Sequence, residues 1–573
     1  MTAAPAPATD ADARFARLAA DDWAWRLAEY PQLATSVGDA SHDDRLERVD
    51  AASRAARLTR WRDTREALAA IAVDEMSDAA RIDRAVFENQ LHGFIGAVES
   101  HADRMPLNSD SSFYGPLVDL CDAQPLRNAA DYRRYLARLA EIPRFMAEHT
   151  ALLREGLATG YTVPQVVLQG RDQPLAAIAG VADPAATPFW KPFGAFPATV
   201  GATDQAALQA EARCVIGEQV LPAYRALLAF LRETYVPGAR QTTAACDLPD
   251  GDAFYAAQIR QYTTLALTAD EIHARGLEEV ARILEEMQVV KQQAGFDGDL
   301  QAFLRFLRTD AQFYARTPQE LLAHASWIAK RIDGLLPKFF GVLPRQPYGV
   351  APVPDDIAPF YTTGRYVLAP QPDGFAGMYW VNTHALPSRA LYTLAALTLH
   401  EAVPGHHLQI ALAAEQAGQP AFRRLSFVDA YGEGWALYAE HLGDEMGVYL
   451  TPYEQFGRLT YEMWRAARLV VDTGLHARRW SREDARAYLL AHTALSEHEV
   501  ATEVDRYISW PGQALSYKIG EIRIRELRAR AQERLGARFD LRAFHDTVLA
   551  LGSVPLGILE EQVDAWISRR LAP

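Results

Sequence analysis

Apolar residues recur at spacings of three and four through most of the chain, which is the period of an amphipathic helix. Between 131 and 160 the stripe runs Tyr132, Tyr135, Leu136, Leu139, Ile142, Phe145 and Met146, and this periodicity assigns those residues to a core. Helix starts are marked by Thr268 with Glu271, Thr317 with Glu320 and Thr451 with Glu454. In each pair the threonine and the glutamate are spaced to cap one another's backbone, and Pro318 and Pro452 take the first helical position in the last two. The stretch 163–203 is rich in Pro, Gly and Ala, contains PFWKPFGAFP, and reads as an ordered loop region. A second interruption over 236–253 places a lobe boundary near 240. From 345 to 388 the period changes: prolines and glycines alternate with short β-type runs, GRYVLAP at 364–370 and GMYWVNTH at 377–384, which predict a small sheet. The expected organisation is a flexible tail over 1–20, an N-terminal helical lobe over 21–240 and a second lobe over 241–573. The fold class is mainly α. No internal repeat is visible.

Length and composition fit this picture. At 573 residues and 49% apolar, the chain can bury a large core. A formal net charge of -15, with no long lysine or arginine run, gives no electrostatic footprint for nucleic acid. Cys121, Cys214 and Cys246 are odd in number and widely spaced, so neither a disulfide framework nor a cysteine zinc knuckle is supported. No run reaches about 18 uninterrupted apolar residues, so no membrane span is expected. As given, the chain reads as cytoplasmic, with periplasmic or secreted placement the alternative if a signal peptide has been removed.

The chemistry is concentrated in LTLHEAVPGHHLQ, Leu397 to Gln409. His400 followed at once by Glu401 is how a helical zinc hydrolase opens its metal motif, the histidine as ligand and the glutamate as base. The usual second histidine, four residues on, is replaced by Pro404, and the next candidates are His406 and His407. On an uninterrupted helix His406 would point about 120° away from His400 and lie about 9 Å along the axis. Pro404 cannot continue the helix and Gly405 tolerates most backbone geometries, so a local bulge is expected to swing a histidine back. Leu391, Leu394, Ala395, Leu397 and Leu399 upstream form a buried run that delivers the polar cluster into the interior, where ionisable groups need partners. The alternative is a solvated polar helix end.

Catalytic zinc usually takes three protein ligands. FVDAYGEGWALYAEHL, residues 427–442, offers Glu433 and Glu440, seven apart and on one helix face, with Asp429 four before Glu433. Such acids among Phe427, Val428, Trp435, Leu437 and Tyr438 call for a nearby cation, and Glu433 is the candidate third ligand. The competing reading is an ion-pair network with Arg465 and Arg468. The strands before the metal helix could hold an extended substrate by main-chain pairing, with Tyr379 as a contact, or merely support that helix.

HEAVPGHHLQ followed by YGEGWALYAE resembles a widespread bacterial family of proteins of unknown function with a HExxPGHH signature. That family is distantly similar to the thimet oligopeptidase, neurolysin and carboxypeptidase Taq group. The likeness continues through RLVVDTGLHARRW at 468–480 and EVDRYISWPGQALSYKIG at 503–520; the first 240 residues carry little of it. The resemblance implies a two-lobed, neurolysin-like zincin fold with a deep cleft. By the same likeness His400 and His406 match the histidine ligands, Glu401 the general base and Glu433 the glutamate ligand. His406 is preferred over His407 because Gly405-His406 matches the Gly-His of those peptidases.

The expected function is a zinc-dependent metallopeptidase that hydrolyses short peptides by a zinc-activated water, with Glu401 moving the proton. A zinc amidohydrolase acting on a non-peptide amide, or a catalytically inactive peptide-binding protein, are the alternatives. His476, Tyr507 and Tyr517 are candidate oxyanion donors, each equally readable as packing, and Tyr517 resembles the tyrosines of the related peptidases. Arg506 and Lys518 are candidates for a substrate carboxylate or for structural ion pairs. Gln513, in the turn after Pro511 and Gly512, is a candidate substrate contact. The expected partners are a short peptide and Zn2+, with no nucleic acid and no membrane.

Overall fold

The computed structural model describes residues 9–572 apart from 110, 356 and 369–375. The protein is mainly helical, with one three-stranded sheet among the described residues. It divides into two compact units, Met1–Thr243 with Asp247–Gly251, and Ala244–Cys246 with Asp252–Pro573.

In the first unit, α1 (Asp10–Glu29) begins at Thr9, whose hydroxyl accepts from Asp12 N–H while the Asp12 carboxylate accepts from Thr9 N–H. Residues 10–20, expected in a flexible tail, are therefore the first half of a helix, because this reciprocal cap satisfies its opening amides. The stripe at 131–160 is two helices, α2 (Ala129–Ala140) and α3 (Ile142–Thr159), restarted where Pro143 removes a backbone donor. All seven stripe residues are buried. The Pro-rich region is ordered as short helical turns that bury Phe189 and Phe193. One helix among the described residues, α4 (Ala202–Gly238), is long and apolar enough to cross a membrane by length and composition, although its apolar residues are not contiguous. Leu221, Tyr224, Leu227 and Phe230 on it are buried in the protein's own core.

The second unit is built around two long helices, α5 (Ala269–Gln293) and, later in the chain, α10 (Pro452–Arg478). Ile283 and Met287 of α5 pack with Leu459, Met463 and Val470 of α10 in one core. Thr268 makes the full reciprocal cap with Glu271. At α6 (Pro318–Asp333) and α10 the threonine caps as expected, but Glu320 and Glu454 accept from Arg316 and Leu450, one residue before the cap. The sheet comprises β1 (Tyr348–Pro352), β2 (Gly364–Val367) and β3 (Gly377–Val381) in the order β1-β3-β2. β1 runs parallel to β3 and β2 antiparallel to it, so β2 is an edge strand. The predicted runs at 364 and 377 both hold strands; the end of the first, at 369–370, lies outside the described residues. β1 is the strand the period did not single out.

The sheet rests on α7 (Leu394–Glu401), every residue of which is buried. α8 (His406–Ala414), α9 (Asp429–Glu445), α11 (Glu497–Ser509) and α12 (Ser516–Leu535) complete the surroundings of α7 and α10. α9 and α12 cross at glycines: a Cβ on Gly520 would lie 1.9 Å from the Ala430 carbonyl oxygen. This close approach sets the start of α12, with Tyr517, against the first turns of α9.

Candidate metal centre

The apolar run of α7 ends where Pro404 removes a donor, and the helix stops at Glu401. Gly405 then opens α8, with no room for a side chain: a Cβ there would lie 1.9 Å from the His400 carbonyl oxygen. The Trp435 indole N–H donates to the Pro404 carbonyl at 2.7 Å, tying the break to α9. The two helices thus meet end to end at a corner, and the His400 and His406 rings stand 4.8 Å apart and nearly perpendicular.

Glu433, from α9, completes a trio. Its Oε2 lies 3.5 Å from His400 Nε2 and 3.4 Å from His406 Nε2, and the ligand-capable atoms of all three residues fall within 4.8 Å of one another. Two donors each about 2.0–2.1 Å from one tetrahedral ion stand roughly 3.3 Å apart, so this spacing fits a zinc-sized ion. Glu433 Oε2 is buried and accepts no hydrogen bond in the structure, as expected of an oxygen that faces a cation. Burial opposes charge on His400, yet the Glu433 carboxylate facing it and the Glu440 carboxylate bonded to it outweigh that and lift the imidazole to about 9. Burial likewise opposes ionisation of Glu433, but His406 and His400 hold it well below the usual carboxylate range.

His407 turns the other way. Its Nδ1 lies 3.0 Å from the Tyr366 hydroxyl and its Nε2 3.1 Å from the Gln346 carbonyl, and burial depresses its pKa to about 4. It ties α8 to the sheet, leaving His406 beside His400.

Glu401, one residue past His400, accepts the Tyr366 backbone N–H at 2.8 Å. The edge strand therefore positions this carboxylate. Tyr517 lies near His400, with ring centroids 6.4 Å apart and planes 18° from parallel. The Tyr517 hydroxyl lies 3.4 Å from Arg506 Nη2, and the same nitrogen donates to Gln513 Oε1 at 2.7 Å. Gln513 Nε2 is 3.5 Å from Asp429 Oδ1. Burial, with Glu433 adding to it, pushes the Asp429 carboxyl up to about 6. Tyr517, Arg506, Gln513 and Asp429 thus form a continuous polar group beside the trio.

Four expected site residues are elsewhere. His476 is fully buried, its Nδ1 accepting from Ala245 N–H and its Nε2 bonded to the Tyr507 carbonyl, so both nitrogens are engaged and it is no oxyanion donor. The Tyr507 hydroxyl accepts from Trp464 Nε1 and Arg468 Nε, each at 3.0 Å, and is a packing group. Tyr379 is buried, with its hydroxyl 3.3 Å from Thr398 Oγ1, where it supports α7 and cannot touch substrate. Lys518 is enclosed by Glu521, Glu462 and Glu279 at 2.8, 2.9 and 3.1 Å, which makes it the centre of a buried ion cluster.

The sequence left three contributions unassigned. Glu440 Oε1 lies 2.7 Å from His400 Nδ1, so the seven-residue spacing from Glu433 places two carboxylates on the two nitrogens of one ring. Arg465 approaches Glu440 at 3.8 Å, whereas Arg468 pairs with Glu503, so the competing ion-pair network exists only in part. The second contribution is the Tyr366 amide, a backbone group without a sequence signal. The third is Arg365, exposed on β2 next to it.

A family model described as "Bacterial protein of unknown function (DUF885)" matches residues 31–563, and the chain belongs to that family. A crystal structure of a candidate lipoprotein from Colwellia psychrerythraea is similar over 98% of this chain and 100% of its own, with a TM-score of 0.89 and 27% identity. A candidate lipoprotein of unknown function from Shewanella oneidensis shares the fold, with a TM-score of 0.69 and 18% identity over 96% of this chain and 99% of that one. No curated protein matches the chain.

Proposed function

We propose that this member of the DUF885 family is a zinc-dependent metallopeptidase acting on short peptides. The observation that carries the reading is the convergence of His400 Nε2 and His406 Nε2 on one Glu433 oxygen, at 3.5 and 3.4 Å, with Glu401 on the adjoining residue. A structural metal site has no need of a carboxylate base beside its ligand. A zinc ion held by these three would lower the pKa of water towards neutrality and polarise the scissile carbonyl. Glu401, with one oxygen held by Tyr366 N–H, has its other oxygen to accept the proton of the attacking water and return it to the leaving amine. Tyr517 is the donor to the developing oxyanion, oriented by Arg506. Asp429 and Gln513 line the substrate's path beside them.

The zincin-like, neurolysin-like reading of the fold rests on the same constellation: a His-Glu helix end, a glutamate from a later helix, and a sheet edge against the metal helix. The likeness to a candidate lipoprotein from Colwellia psychrerythraea supports placement outside the cytoplasm, in line with the exported alternative.

The test joins metal analysis with a peptide-library digest. The expected result is stoichiometric zinc in wild type and in Glu401→Gln, with fragments produced by wild type alone. Absence of bound metal, or identical fragments from both proteins, overturns the reading.

A further inference from the structure

The substrate class of this site can be narrowed, on the premise that the proposed peptidase reading holds. An enzyme of short peptides meets a chain end near every cleavable bond, and chain ends are charged. On a chain of formal net charge -15, a substrate carboxylate needs a local cation. Lys518 is sealed among three glutamates. Arg506 already donates to Gln513 and stands 3.9 Å from Glu503.

β2 supplies another. In its antiparallel register Gly364 faces Val381, Arg365 faces Trp380 and Tyr366 faces Tyr379. Side chains alternate along a strand: Gly364 and Tyr366 are buried, and Arg365 between them is exposed. Its backbone is one residue from the amide that holds Glu401. Although the surroundings disfavour its charge, the Tyr361 hydroxyl beside it, with Glu401 and Tyr517 contributing, holds the guanidinium above its ordinary pKa. Arg506 reaches the Tyr517 hydroxyl, and Arg468 lies over the Tyr517 ring at 4.3 Å. The tyrosine next to the metal trio is therefore in cationic surroundings, and Arg365 is the exposed member on the strand side. A guanidinium carries five donors in a planar fork that matches a carboxylate two bonds at a time.

We propose that Arg365 is a specificity-determining residue that seats a substrate carboxylate, the C-terminal carboxylate of a short peptide or an acidic side chain near the cleaved bond, beside Glu401 and Tyr517. The two sources share one chemistry and separate by experiment.

The zinc-loaded wild type, Arg365→Gln and Arg365→Lys are assayed on three matched peptides: a neutral one with a free C terminus, its C-terminal amide, and the amide carrying one glutamate. Zinc content is measured in every protein, and binding of the same peptides to Glu401→Gln, dialysed against the same zinc buffer, is followed by calorimetry. Wild type is expected to favour a carboxylate-bearing peptide about 10- to 100-fold in kcat/KM, the worth of a charged hydrogen-bonded pair. Arg365→Gln is expected to lose that preference through KM, with the amide cleaved as before and zinc unchanged, and Arg365→Lys to recover part of it. Preference for the free terminus names the chain end as the source; preference for the glutamyl amide names the side chain. Equal cleavage of all three by wild type, or an equal loss on all three in Arg365→Gln, overturns the carboxylate seat and leaves the zinc peptidase standing. Absence of zinc with no cleavage of any peptide overturns the peptidase reading; equal affinity of Glu401→Gln for the acid and amide peptides then overturns the seat as well.

Discussion

Glu440 Oε1 lies 2.7 Å from His400 Nδ1, two helical turns along α9 from Glu433, whose Oε2 faces Nε2 of the same ring at 3.5 Å. One helix therefore grips the imidazole at both nitrogens. The Glu440 contact keeps the proton on Nδ1 and leaves the Nε2 lone pair for a metal, the arrangement that orients a ligating histidine. Glu440→Gln is expected to weaken metal affinity about 10- to 100-fold, read by chelator competition, with the helical circular dichroism spectrum preserved. Unchanged affinity would reduce Glu440 to a packing residue.

Gly405 is fixed by space. Its missing side chain lets the corner between α7 and α8 close onto the His400 carbonyl, where a Cβ would lie at 1.9 Å. Gly405→Ala is expected to open that corner, separate His406 from His400 and abolish stoichiometric metal binding. The stability loss is about 1–3 kcal/mol, the scale of overpacking, read by denaturant unfolding. Retention of full metal content would show that the corner relaxes without moving either ring.

Much of this site is legible in the chain because its decisive features are local. Pro404 and Gly405 announce a broken helix, and the break is what turns His406 towards His400. Glu433 is legible for a different reason: an acid among Trp435, Leu437 and Tyr438 demands a cation wherever the helix goes. What the chain hides is which distant partner each polar group meets. Tyr507 and His476 sit in motifs as suggestive as that of Tyr517, yet α10 and α11 join them to each other, and only the close crossing of α9 with α12 at Gly520 selects Tyr517. Lys518 follows Tyr517 directly, but the turn of about 100° between neighbouring helix residues takes it to Glu521, Glu462 and Glu279 instead. Backbone donors such as Tyr366 N–H leave no mark in a sequence at all.

Lys518 offers a sharp contrast between the two roles a buried cation can play. It has no exposed surface and touches Glu521, Glu462 and Glu279. Glu462, although burial opposes its ionisation, is held well below the usual carboxylate range by Lys518 first and by Arg458 and Arg282 after it. Lys518→Met leaves those carboxylates short of a cation and is expected to cost about 3–5 kcal/mol in unfolding free energy. KM for peptides with a free C terminus is expected to stay at the wild-type value at a temperature where the variant is folded. A rise in KM without a loss of stability would return Lys518 to the substrate.

His149 gives the clearest acid sensitivity of the first unit. Its ring stacks on Phe113 at 4.0 Å and 10°, meets Phe145 edge-on, and neither ring nitrogen has a hydrogen-bond partner among the described residues. Burial, with Arg144 adding to it, depresses its pKa from 6.5 to about 3. Between those values the unfolded chain binds a proton that the folded protein refuses, so the stability this residue allows is complete above pH 6.5 and lost as the pH falls towards 3. His149→Phe removes the titration. Its unfolding free energy relative to wild type is expected to improve by about 2 kcal/mol more at pH 5 than at pH 8, whatever the new ring costs in packing, because that cost is common to both conditions. The comparison is a pair of denaturant titrations, and an identical difference at both pH values would show that the imidazole finds a proton-sharing partner in solution.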